Sequence, residues 1–275
     1  MEPPAPVVDL VLSRRLELTE GHANAAMVAS RARLEPSRGA CAARFAGAYA
    51  LFDGVGSPLT QSFGLGVEGA PSPQDLDALD EFFRSRSATP HHEVSPLADT
   101  SLLPLLVSRG HAPVELTTVL FQRLSPRRGS SSLVPVRLVE RSDDAEADAW
   151  AAVSAAGWSS EGDAIAAFAR GVGRVNARAE SSFCFLAELE GRAVGSAAMH
   201  LHEGVALLAG ASTVPAARRR GVQAALLDAR LRFAADAGCD LAMMGAAPGS
   251  ASQRNAERQG FRIAYTRIKW GPRPA

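Results

Sequence analysis

The stretch VPAARRRGVQAALLDARLRFA, residues 214–234, places Arg218, Arg219 and Arg220 directly before Gly221 and an alanine- and leucine-rich run. In that run Val222, Leu226, Ala229 and Phe233 recur at steps of four and three, which predicts a helix with one buried face. Asp228 and Arg232 stand one turn apart on its other side, and Gly238 is placed to close it. A strand is predicted to end near Val214. Positive charge at such a junction reads either as a solvated turn or as an anion site. The anion reading has the stronger physical basis. The first turn of a helix offers amide donors without intrahelical acceptors, at the positive end of the helix dipole. Gly221 has no Cβ to keep an anion from the backbone, and Val222, Gln223 and Ala224 follow with their amides. The three guanidinium groups add charge-assisted hydrogen bonds, so a diphosphate suits the segment better than bulk water does.

Working outward, the second half of the chain alternates helix and strand signals. VPVRLVE (134–140) is a predicted strand, and DDAEADAWAAVSAAG and EGDAIAAFARGVG are predicted helices with acidic starts. FCFLAELEGRAVGSAAMHLHEGVALLAGASTV reads as a three-stranded meander turning at Glu190–Gly191 and Glu203–Gly204. After the central helix come a short strand DLAMMGA, a polar helix SASQRNAERQG and a terminal strand FRIAYTRIKW. The first half repeats a reduced version: helix RLELTEGHANAAMVASRARL, strands ARFAGAYALF and TQSFGLGV, helix SPQDLDALDEFFRS and strand VELTTVL. A shift of 150 positions superposes Leu76 on Leu226, Phe83 on Phe233 and Gly110 on Gly260 without a gap. The common offset points to tandem duplication. The stretch LSPRRGSSSLVP has linker composition. The expected organisation is therefore a lobe over 1–124, a linker over 125–133 and a lobe over 134–275. The fold class is α/β (α+β), each lobe a mixed, mostly antiparallel sheet flanked by helices.

Composition narrows the functions. The 29 Lys and Arg balance 29 Asp and Glu, so no global field draws in nucleic acid or an anionic membrane. Cys41, Cys184 and Cys239 are scattered and odd in number, which fits a reducing cytoplasm. The first residues, MEPPAPVVDLVLSRR, carry no signal-peptide pattern, and no apolar run approaches the ~18 residues of a membrane span. A cytoplasmic protein is expected. The nucleotide-binding glycine loops with a Lys-Ser or Lys-Thr pair, or with three spaced glycines, are absent.

TVPAARRRGVQAALLDARL resembles the pyrophosphate-binding segment of the GNAT superfamily of acyl-CoA-dependent N-acyltransferases. Their pattern is Gln or Arg, two residues, Gly, one residue, then Gly or Ala, between the fourth strand and the third helix. Arg218 takes the first position, Gly221 the fourth, and Gln223 departs from the last. That departure narrows the loop and leaves its amides in place. The flanking Val214–Pro215 and the later ERQGF strengthen the resemblance, which covers 134–270 well and 8–124 as a degraded copy.

The resemblance implies acetyl-CoA as cosubstrate and no metal, with the diphosphate on residues 219–225: Arg219, Arg220, Gly221, Val222, Gln223, Ala224 and Ala225, assisted by Arg218. The pantetheine arm would follow the strand end at Thr213 and Val214, whose backbone N–H would hold the thioester carbonyl. It implies direct acetyl transfer to a primary amine, carried by a small molecule or a peptide, in a ternary complex. The alternative is a non-catalytic acyl-CoA-binding or interaction protein. At the 150-residue shift the loop falls on EGAPSP (68–73), where Glu68 repels phosphate and Pro71 and Pro73 have no N–H. The first copy is thus expected to serve as scaffold or substrate wall.

Catalytic residues stay unassigned. The tyrosine that many family members use as acid would fall at Ala256, beside Asn255, which either bonds coenzyme or substrate or sits on a helix surface. Tyr265 reads as core or surface more than as an acid. His200 and His202 share a strand face, as a general base or as a pair with too few companions for a metal, and His91 and His92 face opposite ways. Glu161 and Asp163 either meet an amine or answer a helix dipole. Met243–Met244, Cys184 and Cys239 read as core.

Overall fold

A computed structural model describes residues 7–125 and 133–273. In chain order the elements are α1 (Leu10–Leu34), β1 (Cys41–Phe45), β2 (Ala48–Phe52), β3 (Gln61–Phe63), α2 (Pro73–Arg84), β4 (His92–Val94), α3 (Leu102–Ser108) and β5 (His111–Arg123). There follow β6 (Val136–Leu138), α4 (Asp144–Trp158), α5 (Asp163–Ala177), β7 (Ser182–Leu189), β8 (Arg192–His202), β9 (Val205–Thr213) and α6 (Val222–Asp236). The last are β10 (Leu241–Ala246), α7 (Ala251–Arg258) and β11 (Arg262–Pro272). The 150-residue offset recurs in the elements: β3 falls on the end of β9, α2 on α6, β4 on β10, α3 on α7 and β5 on β11.

Two compact units result, one from residues up to Arg123 together with Met243 onward, the other from Leu124 to Ala242. This division differs from the expected lobe over 134–275, because residues from Met243 onward pack with the first unit. The reason lies in β11, whose polar side chains find their partners on α1 and β4. Tyr265 donates to Glu17 Oε1 at 2.8 Å, and Arg267 donates to Glu20 at 2.7 and 3.0 Å and to Glu93 at 3.0 Å. Tyr265 and Arg267 are both buried. Most of the expected linker, residues 126–132, lies outside the described residues.

In the first unit the strands run in the order β1-β2-β3-β4-β11-β5. Only the β3–β4 pair is parallel; β11 is antiparallel to both β4 and β5. Leu76, Leu79 and Phe83 of α2 pack on Ala50, Phe52, Val94, Leu102, Leu106 and Trp270. In the second unit β7, β8 and β9 form an antiparallel meander, and β6 pairs antiparallel with its β7 edge. Its two turns are Glu190–Gly191 (φ 52° and 72°) and Glu203–Gly204 (φ 43° and 76°), the paired left-handed conformation that suits a right-twisted hairpin. Trp150 of α4 plugs this unit's core, donating its indole N–H to the carbonyls of Phe185 and Ala197 at 3.1 and 3.3 Å.

α6 buries a stripe that differs from the expected one. Val222 and Leu226 are buried, but Ala229 and Phe233 are only half-buried and Arg230 lies inside at 4% exposure. The cause is a bulge. The β8–β9 register jumps from Ser196↔Ser212 to Ala198↔Ala209, and Gly210 takes φ 58°. Arg230 donates to the carbonyls of Ala198 and Ala209, at 3.1 and 3.4 Å, and so satisfies backbone oxygens that the disturbed ladder leaves exposed to the core.

Candidate active site

The segment between β9 and α6 takes its shape from two left-handed residues. Pro215–Ala217 form one 3-10 turn, Arg218 is extended, Arg219 has φ 63° and Gly221 has φ 80°. Gly221 is the N-cap of α6 and makes no side-chain cap; a Cβ there would find nothing nearer than Val134 Cγ2 at 4.0 Å. The first-turn amides of Val222, Gln223 and Ala224 therefore have neither an intrahelical acceptor nor a capping side chain. Ala225 is the first to bond back, its N–H donating to the Gly221 carbonyl at 3.0 Å. α6 is seated closely on β8: a Cβ at Gly195 would stand 2.4 Å from Val222 Cγ1.

The three arginines separate into different roles. Arg218 turns back to α4, donating to the Gly157 carbonyl at 3.1 Å and to Ser160 Oγ at 2.9 Å. Arg220 pairs with Glu190 at 2.8 Å. Arg219 is exposed and makes no hydrogen bond or ion pair among the described residues. Gln223 reaches across the groove, donating through Nε2 to Thr213 Oγ1 at 2.7 Å. At the strand end Val214 N–H is already taken by the Val194 carbonyl at 2.9 Å. Ladder alternation then turns the amide of Thr213 away from β8, so Thr213 is the residue placed to offer a strand donor.

The helix at the matching place in the first unit is built differently. Ser72 and Asp75 form a reciprocal capping box on α2, and Pro73 removes a further donor. Glu68 is tied to Arg14 at 2.6 Å and to Arg44 at 3.3 Å. An anion would meet occupied amides and a carboxylate.

The other candidates resolve individually. His200 is buried, with Nε2 2.8 Å from Asn176 Oδ1 and Nδ1 3.0 Å from Ser181 Oγ, while His202 is half-buried. Its ring is engaged in the core of the unit. Asn255 belongs to α7 in the first unit and accepts from Arg258; Ala256 beside it is buried. Glu161 ends a short 3-10 turn and Asp163 opens α5, both exposed. Burial pushes the Cys184 thiol up to about 12, so it is no nucleophile. His92 is buried, and burial with the neighbouring His111 and His91 pushes it down to about 3. Gly157, Ser160 and Glu190 hold the arginines of the loop and Gly195 seats α6, and nothing local in the sequence signals these roles, because each acts through a partner distant in the chain.

Residues 146–261 match the model of the acetyltransferase (GNAT) family. Among solved structures, a GCN5-related N-acetyltransferase from Kribbella flavida is similar at 20% identity over 91% of this chain and 96% of that one, with a TM-score of 0.63. A tandem GNAT protein from the clavulanic acid biosynthesis pathway is 13% identical over 83% and 79%, with a TM-score of 0.57. The C-terminal domain of a lysylphosphatidylglycerol synthetase from Agrobacterium fabrum is 14% identical over 93% and 92%, with a TM-score of 0.54. At these identities the likeness is one of fold. No curated protein matches the chain. No helix among the described residues is long and apolar enough to cross a membrane. The match to the acetyltransferase (GNAT) family model thus covers residues 146–261, the segment that holds β9, the basic loop and α6.

Proposed function

We propose that the chain is an acetyl-CoA-dependent N-acetyltransferase that binds the coenzyme diphosphate on residues 219–225 and passes the acetyl group directly to a primary amine. The supporting observation is the contrast between two helix starts at one sequence offset. α6 begins at an uncapped, left-handed Gly221 with the unpartnered Arg219 beside it, whereas α2 begins inside a Ser72–Asp75 box. The residues present fit a phosphate: uncapped first-turn amides, room above the glycine and an exposed guanidinium.

Each side chain then has a defined task. Val222, Gln223 and Ala224 bind phosphate oxygens through their amides, and Arg219 closes over them. Arg218 holds the end of β9 to α4 through Gly157 and Ser160. Gln223 fixes the Thr213 side chain, leaving the Thr213 amide to stabilise negative charge on the acyl oxygen. Bound there, acetyl-CoA supplies an activated acyl carbon. The amine lone pair forms the new C–N bond, the C–S bond breaks, and the thiolate takes up a proton as the amine gives one up. The first segment is a duplicated copy that has lost coenzyme binding.

Ala256, standing where the family places its acid, favours a second reading in which the fold binds acyl-CoA without turnover. Release of free thiol from acetyl-CoA against a panel of small amines and peptides separates the two. Amine-dependent thiol release supports catalysis. Coenzyme binding without release from any amine supports the second reading, and absence of binding removes both.

A further inference from the structure

In the first unit α2, β4 and β5 bring together three metal-ligating side chains that acetyl transfer does not use. Asp80 lies on α2, His92 opens β4 and His111 opens β5, and one donor atom from each falls within 4.8 Å of the others. His92 is 1% exposed and His111 4%. The orientation of His92 is fixed by Ser62, whose Oγ lies 2.8 Å from Nδ1, so that Nε2 turns toward Asp80 Oδ1 at 3.9 Å. That gap is too long for a hydrogen bond. The other oxygen, Asp80 Oδ2, faces Arg109 Nε at 3.5 Å, and Arg109 is itself held by Asp77 at 2.6 Å. His111 packs with its centroid 5.0 Å from that of His92, and among the described residues neither of its ring nitrogens has a hydrogen-bond partner. The carbonyls of Leu106 and Pro90 lie beside the ring without meeting hydrogen-bond geometry. A buried imidazole with two unpaired nitrogens lacks the partner that buried polar groups nearly always have.

We propose that Asp80 Oδ1, His92 Nε2 and one ring nitrogen of His111 bind a single zinc-type divalent ion, with water as fourth ligand. Bonds of 2.0–2.2 Å at a tetrahedral centre set donor atoms about 3.4 Å apart, so the side chains need only draw in slightly. Two imidazoles and a carboxylate select zinc or cobalt over magnesium or calcium. Ser62 acts as the outer partner that a metal-bound imidazole requires. Arg84 and Arg109 face Asp80 and oppose the cation, whereas Asp77 favours it. The ion would tie α2 to the starts of β4 and β5. The expectation of no metal came from the coenzyme-binding resemblance, from His200 and His202, and from the opposite facing of His91 and His92, which implied no site; here His92 meets Asp80 and His111 from other elements instead of pairing with His91.

The test uses tag-free, full-length protein stripped with chelator and titrated with cobalt(II), and then with zinc. The expected result is one equivalent of tetrahedral cobalt absorption, displaced by zinc, and a rise of several degrees in melting temperature with zinc. His111→Gln should abolish the absorption, Asp80→Asn should weaken cobalt binding at least tenfold, and His91→Ala should leave it unchanged. No absorption from the unsubstituted protein would overturn the proposal. So would absorption that persists in both His111→Gln and Asp80→Asn, or that disappears in His91→Ala. Should His111→Gln fail to fold, the Asp80→Asn titration decides alone.

Discussion

Arg219→Gly separates binding from architecture within the basic loop. Arg219 holds φ 63°, a left-handed conformation that costs a non-glycine residue about 1 kcal/mol. Glycine removes that strain but gives the unfolded chain about 0.4–1 kcal/mol more entropy to lose, so net stability should change by less than about 1 kcal/mol. Binding should respond differently. A charge-assisted hydrogen bond to phosphate contributes roughly 1.5–3 kcal/mol, and its loss raises Kd roughly ten- to a hundredfold. Arg220→Ala is the internal comparison. Its guanidinium is already paired with Glu190 at 50% and 79% exposure, so the arginine has less to offer a ligand and its loss should cost no more than about fivefold. Calorimetric titration with coenzyme A at one fixed ionic strength, beside urea unfolding of each variant, provides both numbers. Equal losses for Arg219→Gly and Arg220→Ala would refute the reasoning, since they would mean a diffuse basic field.

Three further outcomes follow from packing and charge. Gly195→Ala puts a methyl 2.4 Å from Val222 Cγ1 and 3.1 Å from Leu226 Cδ1, so it should cost about 1–3 kcal/mol by urea unfolding; an unchanged midpoint would show that α6 is not seated as described. Arg230→Met leaves the Ala198 and Ala209 carbonyls without their donor and should destabilise by about 1–3 kcal/mol, while a more stable variant would mean that burying the guanidinium costs more than its bonds return. Burial raises Glu17 from 4.5 to about 7 despite Arg267. Between those values the folded chain holds a proton that the unfolded chain has released, so this carboxyl makes stability fall as pH rises from about 4.5 to about 7. Glu17→Gln should flatten that part of the melting-temperature profile, and an unaltered slope would place the effect elsewhere.

Local rules made most elements legible. The two Glu-Gly turns, the Asp228–Arg232 pair at 3.1 Å and the helix start at Gly221 all depend on residues within one turn of each other. What escaped depends on distant partners. β4 is three residues long, too short for periodicity to register. Nothing local marks Arg230 as buried, because the bulge that needs it lies on two other strands. That β11 packs with the first unit was not legible, because Tyr265 and Arg267 pair with Glu17, Glu20 and Glu93, some 170 to 250 positions away. The arginine run likewise read as three equal cations, and only Gly157, Ser160 and Glu190 distinguish them.

The most direct test of the claim that α6 holds the diphosphate is to follow backbone amide resonances of the whole chain during titration with coenzyme A. The account expects saturable shifts at Gly221, Val222, Gln223 and Ala224, with Gln74, Asp75 and Leu76 of α2 unmoved. Shifts confined to α2, or shifts at neither helix start under saturating ligand, would contradict it.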